Sequence, residues 1–137
     1  MNKKILLLGL IMLITIFFTG CFSILPTIGL ASVDEIDILI LELFPVQINV
    51  IARGNLPDFC TEISEVLQKR EGNSFFITIK TYRSLDPCIQ IIVPFEEIIP
   101  LEVYGLPAGT YTVDVNGVQG TFDLEVDNFD STNSGIL

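Results

Sequence analysis

From Asp34 onward, apolar and polar positions alternate in short runs broken by Gly, Pro and Asn, which is the pattern of an all-β chain. Ile36 to Leu43 is a largely apolar run holding Asp37 and Glu42. After Pro45, the positions Val46, Ile48, Val50 and Ala52 alternate with Gln47, Asn49 and Ile51, predicting a half-buried strand. Gly54 to Pro57 reads as a turn. Phe75, Ile77 and Ile79 alternate with Phe76, Thr78 and Lys80 and predict another strand. Ser84 to Pro87 reads as a loop leading into Cys88, and Ile89 to Val93 as a short strand. Ile99, Leu101 and Val103 make the next strand, which Pro100 confines to a sheet edge or a bulge. Thr61 to Arg70 is ambiguous. Ile63, Val66, Leu67 and Arg70 fall at helical spacing, Asp58 or Thr61 offers a cap, and Gly72 offers a stop. The competing strand turns at Gly72-Asn73 into Phe75, and the surrounding all-β pattern decides for strand.

The last hairpin is the clearest element. Thr110 to Val115, then Asn116-Gly117, then Val118 to Val126 fits a two-residue turn whose central residues accept positive φ. That turn sets Val115 against Val118, Val113 against Gly120 and Tyr111 against Phe122 on one face, continued by Leu124 and Val126. Asp123, Glu125 and Asp127 then share the wet face. Just ahead of it, Gly109 and Tyr111 resemble the tyrosine corner of immunoglobulin-like domains, where the phenol bonds back to the corner backbone. The expectation is an immunoglobulin-like, two-sheet sandwich of about seven strands.

The first 21 residues have a different pattern. Lys3 and Lys4 precede an apolar run from Ile5 to Phe18, and Thr19-Gly20-Cys21 follows, which is the layout of an export signal. Phe18-Thr19-Gly20-Cys21 resembles a bacterial lipobox, which implies cleavage before Cys21 and a diacylated Cys21 sulfur. An uncleaved transmembrane anchor from Ile5 to Leu25 is the competing reading. The expected organisation is a signal peptide at 1–21, a tether at 22–33, a sandwich at 34–127 and a flexible tail at 128–137. Either reading places the folded part outside the cytoplasm, anchored to a membrane.

Composition narrows the chemistry. The chain has 137 residues, 7 basic and 17 acidic, with no His. Without the leader it holds 5 basic against 17 acidic residues, a net charge of −12. Nucleic acid is not an expected partner, since its phosphates require a basic face. Such a surface also repels anionic headgroups, so the anchor must hold the protein at a membrane. With Cys21 lipidated, Cys60 and Cys88 remain. Two thiols in a small exported domain are expected to form a disulfide. Chain-entropy reasoning gives such a loop about 3.6 kcal/mol. No Cys-x-x-Cys and no His accompany them, so a redox or zinc site is disfavoured.

Ala52-Arg53-Gly54, Leu56-Pro57-Asp58, Cys60-Thr61, Arg70-Glu71-Gly72-Asn73, Cys88, Pro94-Phe95-Glu96 and Leu106 to Gly117 together resemble a family of small exported bacterial domains, usually uncharacterised lipoproteins. The resemblance covers about Val33 to Asn128. It implies a β-sandwich with a disulfide, no enzymatic activity and no functional residues to carry over.

A search for catalytic groups yields little. Glu96-Glu97, Asp34-Glu35 and the ladder Asp123, Glu125, Asp127 supply carboxylates, but a general acid needs burial or a close like charge. Asp127 to Asn133 is rich in oxygen donors for calcium, yet its spacing is not that of an EF-hand loop, and a solvated, frayed end is preferred. No cofactor and no metal are expected. Phe76, Tyr82 and Phe95 are candidates for exposed aromatics marking a partner surface. The leading expectation is a membrane-tethered lipoprotein with a non-catalytic binding or envelope-structural role and an unidentified protein or glycan partner. The alternatives are an exported hydrolase inhibitor presenting Gly54 to Pro57 or Ser84 to Pro87, and a hydrolase using Glu97 and Asp123.

Overall fold

The computed structural model describes residues 2–9 and 25–129. Residues 3–9 form a short helix, and the rest is strand, turn and loop. Among the described residues, no helix is long and apolar enough to cross a membrane. Cys21 and the calcium candidates beyond Phe129 lie outside the described residues.

Among the described residues, eight strands form two sheets: β1 (Thr27–Leu30), β2 (Ser32–Leu41), β3 (Gln47–Leu56), β4 (Thr61–Glu71), β5 (Ser74–Arg83), β6 (Val93–Pro100), β7 (Gly109–Val115) and β8 (Val118–Leu124). The expected all-β, two-sheet sandwich is the fold found, with eight strands rather than about seven. One sheet has the order β2-β3-β6, all antiparallel. In the other, β5 is central and β4 pairs along one of its edges. The other edge is shared. β7 pairs parallel with it over Ser74 to Ile77, and β1 pairs antiparallel over Lys80 to Arg83, with β8 outside β7. The chain passes from one sheet to the other at buried Ala31, between β1 and β2.

The inner faces follow the alternation in the sequence. Ile48, Val50 and Ala52 of β3 face Phe75, Ile77 and Ile79 of β5 across the core. The β7–β8 hairpin has the register that Asn116-Gly117 dictates, with Tyr111 opposite Phe122 and Val113 opposite Gly120. Asn116 and Gly117 both take positive φ, as the turn requires. The Tyr111 and Phe122 rings stack at 5.4 Å, and Phe75 lies about 6 Å from each, so three aromatics from three strands form one contact. Thr61 to Glu71 is strand, paired with β5 through the turn at Gly72-Asn73. Its helical periodicity loses because a helix there would strip β5 of one edge.

Several expectations need correction. The segment read as tether is strand from Thr27, because its backbone completes the exposed edge of β5. Gly54 is not in a turn. It sits within β3, where a Cβ would meet the Ser32 carbonyl oxygen at 1.9 Å, so glycine permits the close approach of β2. Ile89 to Val93 is not a strand. β6 begins at Val93, opposite Leu56, and ends at Pro100 on a sheet edge. Leu101 and Val103 lie beyond that strand yet are buried. Val126 is exposed rather than a continuation of the inner face, because β8 ends at Leu124.

The C-terminal boundary also moves. Asn128, read as the start of a tail, is fully buried. Its Oδ1 accepts from Val46 N at 2.6 Å, and its Nδ2 donates to the Val46 and Val103 carbonyls. Its backbone donates to the Leu106 carbonyl and accepts from Gly105 N.

Candidate functional site

Two loops cross from sheet to sheet at one end of the sandwich. Residues 57–60 lead from β3 to β4, and residues 84–92 lead from β5 to β6. The disulfide Cys60–Cys88 ties them together, with Cα atoms 5.8 Å apart. Ser84 N donates to the Cys60 carbonyl at 3.0 Å, a second link between the same loops.

Beneath the disulfide lies a compact polar network. The Asp58 side chain is 4% exposed. It accepts from Arg83 Nε at 2.7 Å, from the Thr61 hydroxyl at 2.8 Å and from Cys60 N at 3.0 Å. Arg83, with help from Thr61, holds the Asp58 carboxyl below the usual carboxylate range. The order Asp58-Phe59-Cys60-Thr61 carries the signal for this turn, since an Asp side chain readily caps the amides that follow it. The Arg83 partnership, 25 residues away, had no local signal.

A cleft of about 550 Å³ opens between the sheets at this end. Leu30, Leu56, Pro57 and Ile92 give it apolar walls, and Thr61, Thr81 and Arg83 give it polar groups. Those polar groups already have partners in part: Thr61 and Arg83 bond Asp58. The cleft offers shape and apolar surface, and Asp58 holds the Thr61 hydroxyl and the Arg83 guanidinium at its wall.

The remaining sequence candidates are dispersed. The Tyr111 hydroxyl donates to the Pro107 carbonyl at 2.7 Å, and the ring is buried, which is the geometry of a tyrosine corner at the start of β7. Gly109 opens that strand. Glu96 bonds Arg53 Nε at 2.7 Å on the outer face of β2-β3-β6, where Arg53 also pairs Asp37 and Glu35. Asp37 first, then Glu96, strengthens the hold of Arg53 on its proton. These partners are largely exposed, so the cluster contributes little to stability. Asp123 accepts from the Thr110 hydroxyl, and Asp127 from Ala108 N. Asp34 accepts from Asn55 Nδ2. Glu97 is half-buried in β6 and is not brought to Asp123 in β8. Among the described residues, no three acidic or Cys side chains converge as a metal-ligand set. Phe76 is 41% exposed on the outer face of its sheet, whereas Phe95 packs against the core.

The fold has relatives. An "uncharacterized 10.2 kDa protein in HgiCIIM 5'region" of Herpetosiphon aurantiacus is 38% identical over 93 residues, covering 67% of this chain and 98% of the relative. Two further proteins of that organism, described as uncharacterized 10.2 kDa proteins in the HgiBIM and HgiEIM 5' regions, are each 40% identical over 81 residues, covering 58% of this chain and 98% of the relative. No solved structure matches. Residues 50–124, from the middle of β3 through the end of β8, match the ORF11 beta-sandwich domain. This chain belongs to the ORF11 beta-sandwich domain family.

Proposed function

We propose that this chain is an extracytoplasmic, membrane-anchored lipoprotein whose sandwich has a non-catalytic binding or envelope-structural role. The Cys60–Cys88 disulfide carries the reading, because such bonds persist in oxidising compartments and are rare in the cytosol. Support comes from Lys3, Lys4, the apolar run to Phe18 and Thr19-Gly20-Cys21, the features of an acylated export signal. The dispersed carboxylates favour recognition over catalysis. The partner is a protein or glycan of the envelope.

Intact mass of the protein extracted from membranes tests this. The expected mass is that of a chain starting at Cys21 and carrying acyl groups. Recovery of the full-length chain in the soluble cytosolic fraction contradicts the reading. Capture of neither protein nor glycan from solubilised envelopes removes the binding role and leaves the structural one.

A second reading is an exported hydrolase inhibitor. The loop 84–87 favours it, since Cys88 and the Ser84 amide brace an exposed Leu85. Gly54 to Leu56 does not serve, being part of β3. No inhibition across a panel of exported proteases would end it.

A further inference from the structure

Large apolar side chains are exposed at both ends of the sandwich, and at the end away from the disulfide Leu43, Phe44, Tyr104 and Val126 lie among the acidic Glu42, Glu102 and Glu125. Phe59, Leu85, Ile89, Ile91 and Ile92 all project from the two disulfide-tied loops, each more than half exposed. Charge is scarce there. Asp58 is buried against Arg83, and Asp86 is the one charged residue between 84 and 92. Loops that connect strands are normally polar, so an apolar, charge-poor pair braced by a covalent bond calls for a low-dielectric neighbour.

The chain itself indicates which neighbour. β1 begins at Thr27, paired with Arg83 at the last residue of β5, so the described chain enters the sandwich at this same end. Ahead of it in the sequence lie Leu25, which is 75% exposed, and the apolar run from Ile5 to Phe18. Cys21 stands six residues before Thr27, and six extended residues reach at most about 21 Å.

We infer that the disulfide-tied end is a lipid-facing surface, with Phe59, Leu85, Ile89, Ile91 and Ile92 lying in the interface of the bilayer that holds the N-terminal segment. This rests on the membrane-anchored reading. The short connection holds the end at the bilayer at high effective concentration, so a modest apolar contact suffices to orient the domain. The net charge of −12 assists the orientation, because anionic headgroups repel the acidic flanks more than the charge-poor end. The sandwich therefore stands upright, with the Leu43-Phe44 segment and the Gly72-Asn73 turn directed away from lipid.

The protein has no Trp, so single-Trp variants of the full chain report position without background. Ile89→Trp and, independently, Phe59→Trp are placed at exposed positions of the end, and Phe44→Trp, 65% exposed, at the other end. Each variant is reconstituted into phosphatidylcholine vesicles with brominated acyl chains and compared with unbrominated vesicles. Bromine should quench Ile89→Trp and Phe59→Trp, with a blue shift of emission, and leave Phe44→Trp unchanged. Vesicle-bound protein showing no quenching at residues 59 and 89, or equal quenching at residue 44, overturns the inference alone. Failure of the full chain to float with vesicles overturns the anchored reading and this inference together.

Discussion

Asn116, Asn128 and Gln68 each use a side-chain amide in place of a backbone peptide group. Asn116 fills the seam where β7 ends and β1 begins along β5. Its Oδ1 accepts from Ile79 N, and its Nδ2 donates to the Ala31 and Ile79 carbonyls. The same residue supplies the positive φ of the hairpin turn. Asn116→Gly keeps the turn and loses the seam. Chemical denaturation should show a loss of about 2 kcal/mol, since buried backbone groups are left unpaired. Asn116→Asp should destabilise further, because a carboxylate oxygen would then face two carbonyls. Wild-type stability in Asn116→Gly would show that only the turn matters. Asp58 makes a pH-dependent case. Its folded pKa lies below its unfolded value, so its contribution is complete above the unfolded pKa and fades as pH falls through the folded one. The wild type should lose stability below about pH 4. Asp58→Asn should be less stable at neutral pH and show a flatter acid limb in thermal melts from pH 2 to 7.

At the scale of elements, the sandwich is closed by links that cross between sheets. Gln68 of β4 donates to the Pro100 carbonyl and accepts from Glu102 N, joining one sheet edge to the segment after β6. Asn128 joins the segment after β8 to Val46 and Val103. Asn128→Ala should cost about 3 kcal/mol in urea denaturation, as three bonds to buried backbone are lost. Removal of the disulfide in Cys60→Ser/Cys88→Ser should cost about 3.6 kcal/mol. These links also explain what the sequence discloses. Alternation and Asn116-Gly117 are local signals, so β3, β5 and the hairpin register are legible. Gly54 and the strand character of Thr27 to Leu30 are set by partners distant in sequence, and their local chemistry reads as turn and tether. Asn128 sits among polar residues that read as a frayed end, and only Val46 and Val103 reveal its burial. At the candidate site the cysteine pair was legible from the cysteine count, once the chain is read as exported and Cys21 is set aside. The Asp58–Arg83 pair and the cleft were not, because both form only when the two sheets meet.

The whole molecule combines an acidic sandwich, an apolar N-terminal run and one disulfide-braced end. Half its residues are hydrophobic, yet the core is a single layer between two sheets, and much of the excess lies in the N-terminal apolar run and the end loops. The account depends on that end having formed in an oxidising compartment. Maleimide labelling of the protein, extracted without reductant from the cells that make it, tests this most directly. The expected result is no labelled thiol before reduction and two afterwards, with Cys21 blocked by lipid throughout. Three labelled thiols before reduction would contradict it.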